Sequence, residues 1–102
     1  NLLCRLPNPR KFLSEIHEFV ANSGVFVLVS PYSWLEEYTP VSQWVGGAVT
    51  PDGEAMDSFS QIQQILDPRF ELIHRENMPF LIREHSRKFQ WGVSDCLVWK
   101  KR

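Results

Sequence analysis

The N-terminal part of the chain carries apolar residues at helical spacing. Asn8-Pro9 opens this segment, since asparagine can cap free backbone N–H groups and proline is tolerated at the first helical position. Gly24 follows the segment, and a glycine with positive φ commonly ends a helix. The pattern therefore predicts a helix between these points, with one apolar face made of Phe12, Leu13, Ile16, Phe19 and Val20.

A continuous apolar run, Val25–Val29, comes directly after the glycine. It shows no alternation of apolar and polar positions, which is typical of a strand covered on both faces in a parallel sheet flanked by helices. A helix, a glycine turn and such a strand form the second half of a βαβ crossover. The pattern therefore predicts an α/β domain.

Residues 30 to 57 form a long connection punctuated by prolines and glycines. Loops of this length inside a compact domain are usually functional. Pro51-Asp52-Gly53 predicts a turn, and Ser58 with Gln61 matches a capping box that would open a second helix. That helix is expected to end before Pro68 and to carry an apolar side made of Phe59, Ile62, Ile65 and Leu66.

The C-terminal part predicts two more strands, Phe70–His74 and Val93–Trp99. The segment Met78–Gln90 between them is ambiguous, because Pro79 argues against a central strand and the charged residues could form a loop or a short helix. Lys100–Arg102 is expected to be a solvated end. We expect the order helix, strand, helix, strand, strand, with the last two strands pairing antiparallel because no periodic helix connects them.

Composition places the 102 residues within one globular domain or a piece of one. The chain is 43% hydrophobic and 23% charged, which argues against disorder, and a net charge of −1 does not favour a nucleic-acid partner. No apolar run approaches the length of a membrane span. Cys4 and Cys96 do not form a zinc pattern; a disulfide between them stays open, although reduced thiols of a cytoplasmic protein are favoured.

The order of elements resembles the C-terminal half of a class I S-adenosylmethionine (SAM)-dependent methyltransferase. In that Rossmann-like fold the fifth strand is followed by a helix, a sixth strand and a seventh strand inserted antiparallel. The blocks SPYSWLEEYTP (30–40), WVGG (44–47) and MPFLIREHSRKFQW (78–91) resemble the mercaptohistidine N-methyltransferase of ovothiol biosynthesis. The opening NLLCRLPNPRKFL resembles the segment after the fourth strand in the same family.

The resemblance covers nearly all of the chain but has one important departure. In this fold the methyl donor is normally held by a glycine-rich loop after the first strand, and the chain contains no GxGxG. We therefore expect residues 1–102 to be a single partial domain, the substrate-side half, with the SAM-binding half absent. Such a chain would have the missing N-terminal half as a partner, would be a poor enzyme alone and would expose sheet surface able to self-associate.

The resemblance implies a small amino-acid substrate whose imidazole nitrogen approaches the methyl group in line with its leaving sulfur. A carboxylate or a histidine could hold the correct tautomer and accept a proton, which makes Glu36, Glu37 and His85 the catalytic candidates. Arg83 could bind the substrate carboxylate in a bidentate fork.

The loop after the apolar strand is also where an α/β sheet would place a ligand, because ligands bind beyond the carboxyl ends of the strands. Tyr32, Trp34 and Tyr38 in this loop could form an aromatic wall around the substrate ring. Asn1 and Leu2, if they follow the fourth strand of the resembled fold, would lie near the methyl donor.

Each candidate also has a structural interpretation. Aromatic residues in loops are commonly packing residues, Glu36 and Glu37 could begin a helix, and Arg83 could belong to a solvent-facing charged run. A histidine such as His85 is by itself more often structural. On that interpretation the chain would be a binding or assembly module without catalysis, and a methyltransferase for another small molecule is a further alternative.

Overall fold

The computed structural model describes residues 1–47 and 57–102 of the chain. Over these ranges the sequence order of helix, strand, helix, strand, strand is confirmed. The predicted turn at residues 51–53 lies outside the described residues. The elements are α1 (Pro9–Glu15), β1 (Val25–Ser30), α2 (Ser58–Leu66), β2 (Phe70–His85) and β3 (Lys88–Lys101), with short 3₁₀ segments at Leu3–Arg5, Ile16–Phe19 and Val41–Gln43.

The three strands differ in length and form one sheet, in which β3 lies between β1 and β2 and is antiparallel to both. The expected antiparallel pairing of the last two strands is therefore confirmed. The register pairs Ser30 with Asp95 at one end of β1 and Val25 with Lys100 at the other. β1 and β2 run in the same direction, so the carboxyl end of β1 points toward the turn that joins β2 to β3.

One face of the sheet packs against both helices. Leu28 and Leu97 are a directly paired couple, so their side chains share this face, and they are 7% and 0% exposed. Phe26 lies on the same face and places its ring 6.5 Å from the ring of Phe12 and 6.0 Å from that of Phe70. The helices complete this core with Leu13, Ile62 and Leu66.

The prediction that β1 is covered on both faces is wrong for the described residues. Val25 and Val27 are 56% and 54% exposed, because both helices pack on the opposite face. Within the described part of the chain β1 pairs only with β3, and that pairing is antiparallel. A continuous apolar run is compatible with burial on both faces of a strand, but it does not tell which elements cover the faces or whether both are covered.

β2 and β3 form a hairpin much longer than the sequence pattern predicted. The ambiguous segment 78–90 belongs to the two strands and the tight turn at Ser86-Arg87. Pro79 is tolerated because β2 is an edge strand of the described sheet. We call residues 70–77 with 95–101 the hairpin base, and residues 78–85 with 88–94 the hairpin arm.

The helix ends differ from two sequence predictions. Asn8 caps α1 as expected, since its Oδ1 accepts a hydrogen bond from the Lys11 backbone N–H. The left-handed residue after the helical segment is Ser23, with φ of 63°, so the prediction of positive φ at Gly24 is wrong. Glycine is needed there for another reason: an added Cβ would lie 2.7 Å from the carbonyl oxygen of Ala21.

The predicted capping box of α2 is also wrong. Asp57 is the N-cap, and its carboxylate accepts from the backbone N–H of Phe59. Ser58 is the first helical residue, and its hydroxyl oxygen instead accepts from Trp34 Nε1 at 3.3 Å. Gln61 is buried near Arg10. The polar side chains thus serve tertiary contacts with distant residues, which a local motif cannot anticipate.

Lys100 and Arg102 are exposed, as expected for a solvated end, but Lys101 and Arg102 also tie the C-terminus to the body of the protein. Lys101 Nζ donates to the carbonyl oxygens of His17 at 2.7 Å and Val20 at 2.8 Å. Arg102 donates to the backbone carbonyl of Asp67 at 3.0 Å. The Lys101 bonds satisfy carbonyls at the end of the first helical segment, and the Arg102 bond satisfies a carbonyl at the end of α2. In the described residues no helix has the length and apolar character needed to cross a membrane.

Candidate functional site

The chain leaves the carboxyl end of β1 through a strained turn at Tyr32. This residue has φ of 56°, a left-handed conformation that costs a side-chain-bearing residue about 1 kcal/mol. Two hydrogen bonds stabilise the turn: the Tyr32 backbone N–H donates to Ser30 Oγ at 3.2 Å, and the Tyr32 hydroxyl donates to Asp95 Oδ2 at 2.7 Å. Backbone strain held by specific contacts is common at functional sites.

Asp95 is the centre of this polar cluster. It is 7% exposed, and its second oxygen, Oδ1, accepts from Arg75 Nε at 3.0 Å. The Arg75 guanidinium in turn stacks on Phe59, 3.9 Å from the ring centre. Burial and then the hydrogen bond to Asp95 raise the pKa of Tyr32 well above its usual range. The same carboxylate, mainly through its hydrogen bond, raises the pKa of Arg75.

The next part of the loop is packed tightly against α2. Trp34 is 8% exposed and its Nε1 donates to Ser58, at the start of that helix. Gly47 approaches the same indole so closely that an added Cβ would lie 2.8 Å from Trp34 Cδ1. Gly46 lies equally close to the backbone of Ser58, and both glycines have positive φ, 75° and 74°. The paired glycines therefore serve to fold this loop.

The N-terminal segment holds the same loop from the other side. Thr39 donates its hydroxyl to the Leu6 carbonyl, and Trp44 Nε1 donates to the Thr39 carbonyl at 2.9 Å. Arg10 Nη2 donates to the carbonyl of Trp44 at 2.7 Å. Side chains from residues far apart in sequence thus satisfy the backbone of a long irregular segment, which would otherwise leave buried polar groups without partners.

A cleft of about 450 Å³ opens between the N-terminal segment, the loop and the hairpin arm. Phe80 pairs with Gly92 and Ile82 with Gln90, so these residues share one face of the arm. Alternation along β3 makes it the face opposite to Asp95 and Leu97, and so opposite to the helices. The lining consists of Asn1, Cys4, Arg5, Pro31, Ser33, Phe80, Ile82, Gln90, Trp91, Gly92 and Val93.

Among the described residues that line this cleft, Arg5 is the one charged side chain. Its Nη1 donates to the carbonyl oxygens of Ser33 at 2.6 Å and Cys4 at 3.1 Å. The guanidinium also lies 5.3 Å from the ring centre of Tyr38. These contacts hold one cation at the edge of a cavity whose other described side chains are neutral and both polar and apolar, which favours a small anionic or zwitterionic ligand.

The structure brings some of the sequence-predicted residues to the cleft. Asn1 lines it directly, and its Oδ1 accepts from Ser94 Oγ at 2.7 Å. Leu2 lies in a neighbouring groove of about 260 Å³ along the outer edge of β1, which also reaches Asn1. Tyr32 contributes indirectly, because its turn places Pro31 and Ser33 in the lining.

Other predicted residues lie elsewhere. Trp34 is buried against α2, while Glu36 and Glu37 are exposed in a turn, and none of the three lines the cleft. Tyr38 is 48% exposed beside Arg5.

His85 is separated from the loop by the length of the hairpin arm, and Arg83 follows the lining residue Ile82 toward the tip but does not itself line the cleft. His85 pairs with Lys88, whereas Ser30 pairs with Asp95, seven residues further along β3 (95 − 88 = 7). At about 3.4 Å per residue this separation is about 24 Å along the strand. At the tip, Arg83 Nε donates to the His85 carbonyl at 3.4 Å and His85 Nδ1 accepts from the Arg87 backbone N–H at 3.2 Å.

The sequence pattern missed the residues that organise the site. Asp95 had a visible signal, since a carboxylate inside an otherwise apolar strand must find a partner when it is buried. Arg5 and Gln90 had no such signal, because the sequence contains many polar residues of kinds that usually lie on the surface, and nothing distinguishes these two. Cys4 and Cys96 are both buried and carry free thiols. In the described residues there is no group of histidine, cysteine or carboxylate side chains arranged to bind a metal ion.

No model of a known protein family matches the chain, and no curated protein shows significant similarity to it.

Proposed function

We propose that this chain is the substrate-side half of a SAM-dependent methyltransferase domain. The observation that carries the proposal is the strand order β1-β3-β2, in which the last strand is inserted antiparallel between two strands of the same direction. This is the arrangement that the sequence resemblance implies for its final three strands. Two further features agree with it: both helices lie on one face, and the other face exposes Val25 and Val27 as a surface for further elements.

The finer proposal is methylation of the imidazole of mercaptohistidine in ovothiol biosynthesis. It rests on the sequence blocks at residues 30–40 and 78–91, which resemble the mercaptohistidine N-methyltransferase family. Both blocks contribute to the cleft: Pro31 and Ser33 come from the first, and Phe80, Ile82 and Gln90 come from the second. A cavity of about 450 Å³ whose described lining combines apolar side chains, neutral polar side chains and one cationic side chain suits a small amino acid.

The described residues do not fit the methyl donor by themselves. Gly46 and Gly47, the paired glycines of the chain, are packed against Ser58 and Trp34 and so do not cradle a ligand. We therefore assign donor binding mainly to residues outside these 102, with Asn1 and Leu2 at the boundary of the donor site. When bound, SAM supplies an activated methyl group.

The part of the reaction that this chain would perform is positioning. The rigid turn at Tyr32 holds the first block against the cleft, and the hairpin arm provides an apolar wall that excludes water from the substrate ring. Holding a ring nitrogen in line with the methyl group can provide most of the rate acceleration of such a transfer.

The direct test is to incubate the complete gene product with SAM and mercaptohistidine and to look for the methylated product by mass spectrometry. Methylated mercaptohistidine is the expected result. If SAM binds but no product forms, the substrate assignment is wrong, and other imidazole and thiol compounds should then be compared.

A non-catalytic binding module is the second candidate, and one observation favours it. Glu36, Glu37 and His85 all lie outside the cleft, so the described lining contains no histidine or carboxylate side chain to act as a general base. A complete gene product that binds mercaptohistidine but does not bind SAM would support this module and reject the enzyme.

A further inference from the structure

The residues around the cleft present an unusual balance of charge. Arg5 is cationic, and the other described side chains of the lining are neutral, with Asn1, Ser33 and Gln90 among the polar ones. An isolated cation in a concave, largely apolar site attracts an anion more strongly than the same cation on an open surface. The cleft therefore discriminates in favour of a ligand that carries a negative group at the Arg5 end.

Arg5 is oriented in advance for this role. Nη1 is occupied by the carbonyls of Ser33 and Cys4, and this fixes the plane of the guanidinium. Within the described ranges, Nε and Nη2 donate to no acceptor, so one edge of the guanidinium retains two parallel N–H donors. That edge matches the two oxygens of a carboxylate, and a fixed arginine loses little side-chain entropy when it binds.

The opposite wall of the cleft suits a flat ring. Phe80 and Ile82 lie on the face of the arm that lines the cleft, and Phe80 covers Gly92 so closely that an added Cβ would be 2.3 Å from its Cζ. Glycine thus leaves the aromatic ring flat against the strand. An aromatic surface opposite a cation selects a ligand with a ring at one end and an acid at the other.

We propose that the cleft binds a small ring-bearing carboxylate and that Arg5 holds its carboxylate group. The proposal rests on the proposed function where it names this group as the α-carboxylate of a histidine-derived substrate. It gives Arg5 the role that the sequence resemblance suggested for Arg83, which the register places near the tip of the arm.

The first experiment compares two probes on the complete gene product by isothermal titration calorimetry: L-histidine, and histamine, which lacks the carboxylate. We expect L-histidine to bind at least about tenfold more tightly, since a charge-assisted bidentate pair contributes at least a tenfold difference in affinity. Equal affinity for the two probes, or no binding of L-histidine, would overturn the proposal.

The second experiment identifies the arginine. Arg5→Gln should lower the affinity for L-histidine about tenfold or more and leave histamine binding unchanged, whereas Arg5→Lys should lose less. Arg69→Gln, at an exposed position before β2, is the matched control and should bind as the unaltered protein does. If Arg83→Gln abolishes the preference for L-histidine while Arg5→Gln keeps it, the carboxylate is bound at the tip and the proposal is wrong.

The two proposals fail in different ways. The NMR signal of the Trp44 indole N–H reports whether the loop is folded, because this group donates to the Thr39 carbonyl. If Arg5→Gln changes this signal, the variant has disturbed the loop; if the signal is unchanged, a lower affinity reflects the lost ligand contact. Preferential binding of L-histidine without methyl transfer in the complete gene product would keep this inference and reject the methyltransferase. Methyl transfer with an unchanged KM in Arg5→Gln would keep the methyltransferase and reject this inference.

Discussion

The base and the arm of the β2–β3 hairpin have similar secondary structure and similar apolar content, but very different surroundings. In the base, Leu97 and Trp99 are fully buried and Phe70 is 1% exposed. In the arm, Leu81 and Trp91 are directly paired yet 60% and 68% exposed. The boundary coincides with the end of β1, because Ser30 pairs with Asp95 and no residue of β1 reaches further along β3.

This contrast shows that the base of the hairpin is buried because β1 and the helices cover it. The hairpin's own sequence does not decide which of its parts is buried. The exposed apolar residues of the arm are too many to be incidental on the surface of a small protein, and such patches usually mark binding surfaces. Phe80 and Ile82, on one face of the arm, form a wall of the cleft, which gives these two apolar side chains a use.

The largest expected effect compares the two tryptophans of β3. Trp99→Ala should reduce the free energy of unfolding by about 3–5 kcal/mol, because it removes a large side chain from a packed core. Trp91→Ala should change it by less than about 0.5 kcal/mol, since the residue is mostly exposed. Urea denaturation followed by circular dichroism measures both, and similar losses would contradict the division into base and arm.

The boundary between base and arm should show an intermediate effect. Asp95→Ala removes the acceptor of both Tyr32 and Arg75, and we expect a loss of about 2 kcal/mol in the free energy of unfolding. Asp67→Ala is a suitable control, because its ion pair with Arg102 is exposed and contributes less than about 1 kcal/mol. Equal losses would mean that the cluster at Asp95 does not lock the loop to the sheet.

The same boundary should respond to alkaline pH. Folding raises the pKa of Tyr32, so the folded protein keeps the phenol proton at pH values where the unfolded chain loses it. The resulting stabilisation is fully present below about pH 10, the pKa of an unperturbed tyrosine, and decreases as the pH rises above it. We expect Tm to fall a few degrees more in the unaltered protein than in Tyr32→Phe over that range, with Tyr38→Phe behaving as the unaltered protein.

The smallest effect on stability is expected within the arm. Gly92→Ala forces the ring of Phe80 to move, but this flexible and partly exposed side chain can turn aside, so the free energy of unfolding should change by less than about 1 kcal/mol. The affinity of the cleft for L-histidine should nevertheless fall severalfold because its wall is altered. Leu81 does not line the cleft, although its paired residue Trp91 does, so Leu81→Ala should leave that affinity unchanged. A loss of affinity in Leu81→Ala would show that the binding surface extends beyond the wall formed by Phe80 and Ile82.

Much of the local structure follows from the sequence alone. The apolar stripe after Asn8-Pro9, the run Val25–Val29 and the stripe ending before Pro68 placed two helices and one strand, because each depends on spacing and on nearby caps. The first helix is shorter than predicted: α1 ends at Glu15, a 3₁₀ segment follows, and Phe19 is 80% exposed instead of lying on the apolar face. The polar signals were less reliable. Ser58 looked like a cap but binds Trp34, and Lys101 looked solvated but binds His17, because a polar group satisfies its hydrogen bonds wherever the fold offers a partner.

The candidate site shows the same division. The sequence by itself determined that the loop after β1 would lie at the carboxyl end of a strand, since strand direction follows from the order of the elements. Only the tertiary structure decided that Arg83 and His85 lie at the tip of a long arm while Arg5 faces the cleft. The physical reason is that strand register and hairpin length depend on long-range pairing, which local periodicity does not encode.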